Sequence, residues 1–135
     1  MSEELETGRH WVAKARSDLL NADNNLRAEQ IPADTVCFHC QQAAEKLLKG
    51  YLAAKGVTPP VTHDLVLLLE RVLPFASDAE TLRDDLSGLT PYAVDARYPD
   101  EGPEFSEADA REAREAAERV VQWLRRACPS LLLSA

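Results

Sequence analysis

The run from Cys37 to Tyr51, CFHCQQAAEKLLKGY, constrains the fold most, because two different stripes recur along it at helical spacing. Val36, Cys40, Ala43, Leu47 and Tyr51 fall three or four residues apart on one face, and Cys37, Ala44 and Leu48 widen it. Gln41, Glu45 and Lys49 recur at steps of four, with Gln42 and Lys46 beside them, so the same helix carries a polar stripe. The helix opens at Ala33, Asp34 or Thr35, where Asp34 and Thr35 can accept bonds from free backbone N–H groups. Gly56 and the following VTPPVT, with two adjacent prolines, stop it.

The rest of the chain reads as further helices divided by proline and glycine. Trp11, Ala15, Leu19, Ala22 and Leu26 share one face of a helix that must end before Pro32. Thr62 is placed to cap a third helix, with His63 and Asp64 in its first turn and LVLLLERVL apolar on nearly every side. Pro74 ends it, and Ala79, Leu82, Leu86 and Leu89 mark a short fourth helix finishing near Gly88. The last helix opens at Ser106 with Asp109 as the capping-box acid, runs along Ala113, Ala117, Val120, Leu124 and Ala127, and closes at Pro129. Its outer face alternates Glu107, Arg111, Glu115 and Arg119 at four-residue spacing. No stretch alternates with period two, so the expected fold is all-α: an up-and-down bundle of about five helices.

At 135 residues one domain is the economical reading, with a core over about 9–127 and short disordered termini. The longest apolar run, Leu65 to Leu69, is too short to span a membrane. The start MSEELETGRH lacks the order of a secretory signal, which makes a cytoplasmic protein the expectation. A net charge of −8 disfavours a broad basic face for nucleic acid but leaves room for a local basic pocket. Cys37, His39 and Cys40 form a Cys-x-x-Cys with a third ligand type, yet no second cluster completes a tetrahedral site, so buried thiols are expected and no metal or cofactor. Trp11 and Trp123 are expected on inner or dimer-facing stripes.

Three segments in fixed order, QQAAEKLLKGYL at Gln41 to Leu52, THDL at Thr62 to Leu65 and ARYP at Ala96 to Pro99, resemble the HEPN domain family over roughly residues 9–127. The resemblance implies a helical bundle that usually dimerises and is linked to nucleotides or RNA. Some members are metal-independent ribonuclease toxins, some pair with a separately encoded minimal nucleotidyltransferase, and others are non-catalytic binding modules. The ribonuclease branch resembles an Arg followed four to six residues later by a His. Here Arg97 matches the Arg, but Glu101, Gly102 and Pro103 stand where the His belongs, and His10, His39 and His63 all precede Arg97.

The candidate ligand-binding residues are Gln41, Glu45, Lys49, His63, Asp64, Arg97 and Tyr98. Arg97 and His63 are also the candidates for any catalysis, meeting a shared phosphate as a guanidinium fork and a proton carrier. Each has a plainer reading: a solvated Glu45–Lys49 helix pair, a capping role for Thr62 and Asp64, and an ion pair of Arg97 with Glu45 or Asp95. Tyr92 and Tyr98 are candidate acceptors for modification by a partner. The expected function is a nucleotide- or RNA-associated binding module, the partner subunit of a minimal nucleotidyltransferase in a toxin–antitoxin-like pair and a homodimer or higher homo-oligomer. The alternatives are a metal-independent ribonuclease using a non-standard His, and a structural homo-oligomer with a vestigial pocket.

Overall fold

A computed structural model describes residues 2–93 and 105–132. Among these residues five α-helices run in order, α1 Glu3–Leu26, α2 Ala33–Ala54, α3 Leu65–Val72, α4 Arg83–Leu89 and α5 Glu107–Ala127. Single 3-10 segments at Ser77–Leu82, Thr90–Ala93 and Pro129–Leu131 flank them, and there is no strand among the described residues. The expected all-α bundle is therefore what forms.

The boundaries follow from local chemistry and correct the expectation in several places. α1 begins at Glu3, well ahead of Trp11, because the Ser2 hydroxyl accepts from Leu5 N and three glutamates favour the positive end of the helix. α2 opens at Ala33 behind Pro32 with no side-chain cap bond of its own. It ends at Ala54, where Gly56 takes φ 78°, a turn that needs glycine's freedom. α3 is capped by Asp64, not Thr62: Asp64 Oδ1 accepts from Val66 N at 3.0 Å and Leu67 N at 3.2 Å. His63 accordingly precedes the helix instead of lying in its first turn. The expected fourth helix splits into a 3-10 turn and α4, yet Ala79, Leu82, Leu86 and Leu89 are all buried as their spacing requires.

α2 is the central element, packed against α1, α5 and α3. α1 and α2 are antiparallel, since contacts that climb one helix descend the other: Gly8 meets Gly50, Trp11 meets Lys49, and Asp18 meets Lys46. A Cβ on Gly8 would lie 2.7 Å from the Gly50 carbonyl oxygen, which is how close the two backbones come. α5 joins through Trp123, tilted on Tyr51 at 5.0 Å, and through Arg114, which forks onto Asp23 of α1. The alternating outer face of α5 forms only its first pair, Glu107–Arg111. Arg119 instead forks onto Asp85 of α4 with two 2.8 Å bonds, a bidentate geometry that outcompetes a single contact along its own helix.

Candidate functional site

α2 turns three polar side chains, Gln41, Glu45 and Lys49, toward α1 and the segment that leads into α3. They are buried, with residue exposures of 0%, 4% and 7%, so the plainer reading of a solvated helix pair is corrected. Periodicity places a polar stripe on one face but does not say what lies against it, and here Trp11 of α1 and His63 do. A carboxylate so enclosed has to be paired and hydrogen-bonded. Glu45 Oε2 accepts from Lys49 Nζ at 3.1 Å, and Oε1 pairs with His63 Nδ1 at 2.8 Å and accepts from Gln41 Nε2 at 3.4 Å.

The segment carrying His63 is held from both sides. Gln41 Nε2 donates to the His63 carbonyl at 3.0 Å, and Gln42 Nε2 donates to Gln41 Oε1 at 2.7 Å. Thr62 Oγ1 accepts from Asp64 N at 3.0 Å, while the Asp64 carboxylate is spent on the α3 amides. His63 itself keeps 69% of its side chain exposed while Glu45 has 5%. Because Nδ1 faces a carboxylate, it carries the proton, and Nε2 is the atom presented outward. Lys49 Nζ also lies 5.5 Å from the centre of the Trp11 ring, a cation–π approach from α1.

A second centre of the same kind was missed by the sequence reading. Asp18 of α1, 7% exposed, pairs through Oδ1 with His39 Nδ1 at 2.8 Å and through Oδ2 with Lys46 Nζ at 2.6 Å. A signal for it exists: Asp18 lies three residues after Ala15 and four before Ala22, an acid set into the inner stripe of α1. His39 is thus bound to an acid and not to the cysteines beside it. Burial pushes the Cys37 thiol up to about 11 and the Cys40 thiol up to about 12, which keeps both protonated at neutral pH.

Of the predicted site residues, the structure brings Gln41, Glu45, Lys49 and His63 into one network and places Asp64 at its edge as a cap. Arg97 and Tyr98, with Asp95, lie outside the described residues. Tyr92 is half-buried, edge-on to Phe105 at 5.1 Å, and burial raises its phenol above the ordinary value. A separate cleft of about 270 Å³ between α4 and α5 is lined by Asp84, Asp85, Glu112 and Glu115 with Arg119, and it contains none of the network.

Residues 9–127 match the HEPN domain family. The chain belongs to the HEPN domain family. Two solved structures are similar to this HEPN chain over most of their length. The crystal structure of TT1696 from Thermus thermophilus is 30% identical, covers 89% of this chain and 97% of its own, and has a TM-score of 0.77. ST0689, described as an archaeal HEPN homologue, is 26% identical over 88% of this chain and 95% of its own, with a TM-score of 0.70. A search of curated proteins returns no match. No helix among the described residues is long and apolar enough to cross a membrane.

Proposed function

We propose that this HEPN chain is a nucleotide- or RNA-binding module, a homodimer that acts as the partner subunit of a separately encoded minimal nucleotidyltransferase in a toxin–antitoxin-like pair. The observation that carries the binding half is the exposed His63 imidazole held through Nδ1 by the buried Glu45 carboxylate. Such a ring is fixed in orientation before a ligand arrives, and Nε2 can donate to a phosphate oxygen when the ring is protonated. Lys49 neutralises the carboxylate beneath, so a phosphate meets no net negative charge from the pair. Family membership supports the paired half. Nucleotide at one hundred times its Kd should raise the melting temperature, since binding only the folded state adds roughly 2.7 kcal/mol. His63→Gln should remove that rise, and co-expression with the neighbouring reading frame should yield a co-purifying nucleotidyltransferase. A wild-type melting temperature indifferent to nucleotides and RNA alike would sink the binding half.

One observation favours a second reading, a metal-independent ribonuclease. A carboxylate behind Nδ1 is the arrangement that lets the opposite ring nitrogen take up or release a proton in acid–base catalysis. On that reading purified protein cuts RNA in the presence of a chelator, and both His63→Ala and Arg97→Ala abolish the cut.

A further inference from the structure

The Asp18–His39–Lys46 centre stands apart from the His63 contact, yet it is built like the first. In each, a buried carboxylate spends one oxygen on a histidine Nδ1 and the other on a lysine ammonium. His39 and Lys46 remain 24% and 22% exposed, and the Nε2 of His39 has no partner among the described residues. Glu45 and Lys46 are consecutive, so the two centres stand side by side about 100° apart around α2. They also overlap along the helix, since Gln41 to Lys49 and His39 to Lys46 each extend roughly 10–12 Å at the α-helical rise.

Aromatic rings flank both. Trp11, half-buried, lies over Lys49, and Phe38, also half-buried, packs edge-on to His39 at 5.5 Å. Lys14 is exposed and stands one helical turn from Trp11 and from Asp18 on the same edge of α1. Further carboxylates near this stretch of α2 are already engaged: Asp23 is held by Arg114, and Asp34 and Asp64 accept from the backbone amides of Thr35 and of Val66 and Leu67. Cations with partly open rings beside them are the combination that holds a single strand by its phosphates and stacks its bases.

We propose that the Asp18–His39–Lys46 centre is a second phosphate contact, and that the ligand of this face is an RNA strand bearing at least two phosphates laid across α2, not a mononucleotide. The inference rests on the nucleotide- or RNA-binding reading above and names its ligand class. It is tested by measuring the binding of labelled octauridylate and of UMP to the full chain over a salt series, for wild type and for His39→Gln/Lys46→Gln. Wild type should prefer the octamer by more than tenfold. The double variant should weaken octamer binding about tenfold, the lower end for one charge-assisted contact, and reduce the slope of log K against log salt by about 0.7 for each phosphate released. UMP binding should not change. Octamer affinity and slope equal to wild type would overturn the inference, as would a double variant that turns a dimer into monomers while still binding RNA, which would make this face an interface between copies. Equal wild-type affinity for UMP and octamer overturns this inference alone, whereas binding of neither overturns the reading beneath it. If the double variant does not fold, Asp18→Asn/Lys46→Gln replaces the ion pair by neutral amides, and it should weaken octamer binding in the same direction while leaving UMP binding unchanged.

Discussion

Removing one charge from the Glu45–Lys49 pair tests whether the polar stripe of α2 is interior. Their side chains are 5% and 9% exposed. Glu45→Gln leaves the Lys49 ammonium enclosed against Trp11 with no counter-charge, which costs about 3–5 kcal/mol for a pair this deep. Lys49→Met costs less, about 1–3 kcal/mol, because the Glu45 carboxylate keeps its contacts to His63 Nδ1 and Gln41 Nε2. The double variant leaves no unpaired charge and should cost about 1 kcal/mol. The coupling energy from the four proteins, read by urea unfolding at neutral pH, should therefore exceed roughly 2 kcal/mol, against the 0.2–1 kcal/mol of a solvated pair. All four should share one m-value. A coupling below about 1 kcal/mol would put the pair in water and refute the burial argument.

The helical glycines should respond to one substitution in three ways. Gly8→Ala places a Cβ 2.7 Å from the Gly50 carbonyl oxygen and 2.7 Å from Leu131 Cδ2, so overpacking outweighs the helix-propensity gain and stability falls by about 1–2 kcal/mol. Gly50→Ala, whose nearest atoms lie at 3.0 to 3.3 Å, should come out near neutral, and Gly88→Ala, with nothing within 4 Å, should gain about 0.5–1 kcal/mol; a Gly8→Ala protein as stable as wild type contradicts the close approach. Cys37 and Cys40 have folded values raised above the ordinary 9.0, so the folded state holds more protons than the unfolded between those values. Their contribution is complete below pH 9 and lost as pH rises through about 11 to 12, by up to about 1.4 kcal/mol per pH unit for each thiol, and a flat alkaline stability curve would count against it. Ser106→Ala removes the 3.1 Å bond from Asp109 N and should lower unfolding stability by about 1 kcal/mol, with no loss meaning that the α5 cap is not formed.

Helix existence was legible because it rests on spacing within one segment. The α5 capping box is such a local signal, with Ser106 and Asp109 bonding each other's backbone as their spacing suggests. Sequence alone leaves the cap of α3 open between Thr62 and Asp64, which can both cap, and only the fold shows Asp64 on the α3 amides and Thr62 engaged with Asp64's own amide. The stripe of Gln41, Glu45 and Lys49 was located correctly, while its burial was not legible, since that depends on α1 lying close enough for glycine to face glycine. The Asp18 centre needed the same antiparallel register, which brings residue 18 to residues 39 and 46 across two helices. No pattern within α1 or α2 alone contains that pairing.

Stability gives no reason for α2 to carry these groups. Fifteen of its twenty-two residues are buried, and a well-packed apolar set in place of a buried ion pair is commonly neutral or more stable by about 1–4 kcal/mol. A network that served packing alone would also close within the interior, whereas this one runs from Lys49 through Glu45 and ends on an imidazole that is 69% exposed. The exposed end and the buried end should then separate in experiment. His63→Gln removes a side chain mostly in water and should change stability by less than about 1 kcal/mol while abolishing the ligand-induced rise in melting temperature. Glu45→Gln should lose both stability and ligand response, because it holds the ring as well as the lysine. If His63→Gln is instead as destabilising as Glu45→Gln and still responds to nucleotide, the imidazole is a structural clasp for the α2–α3 connection and the binding centre lies elsewhere.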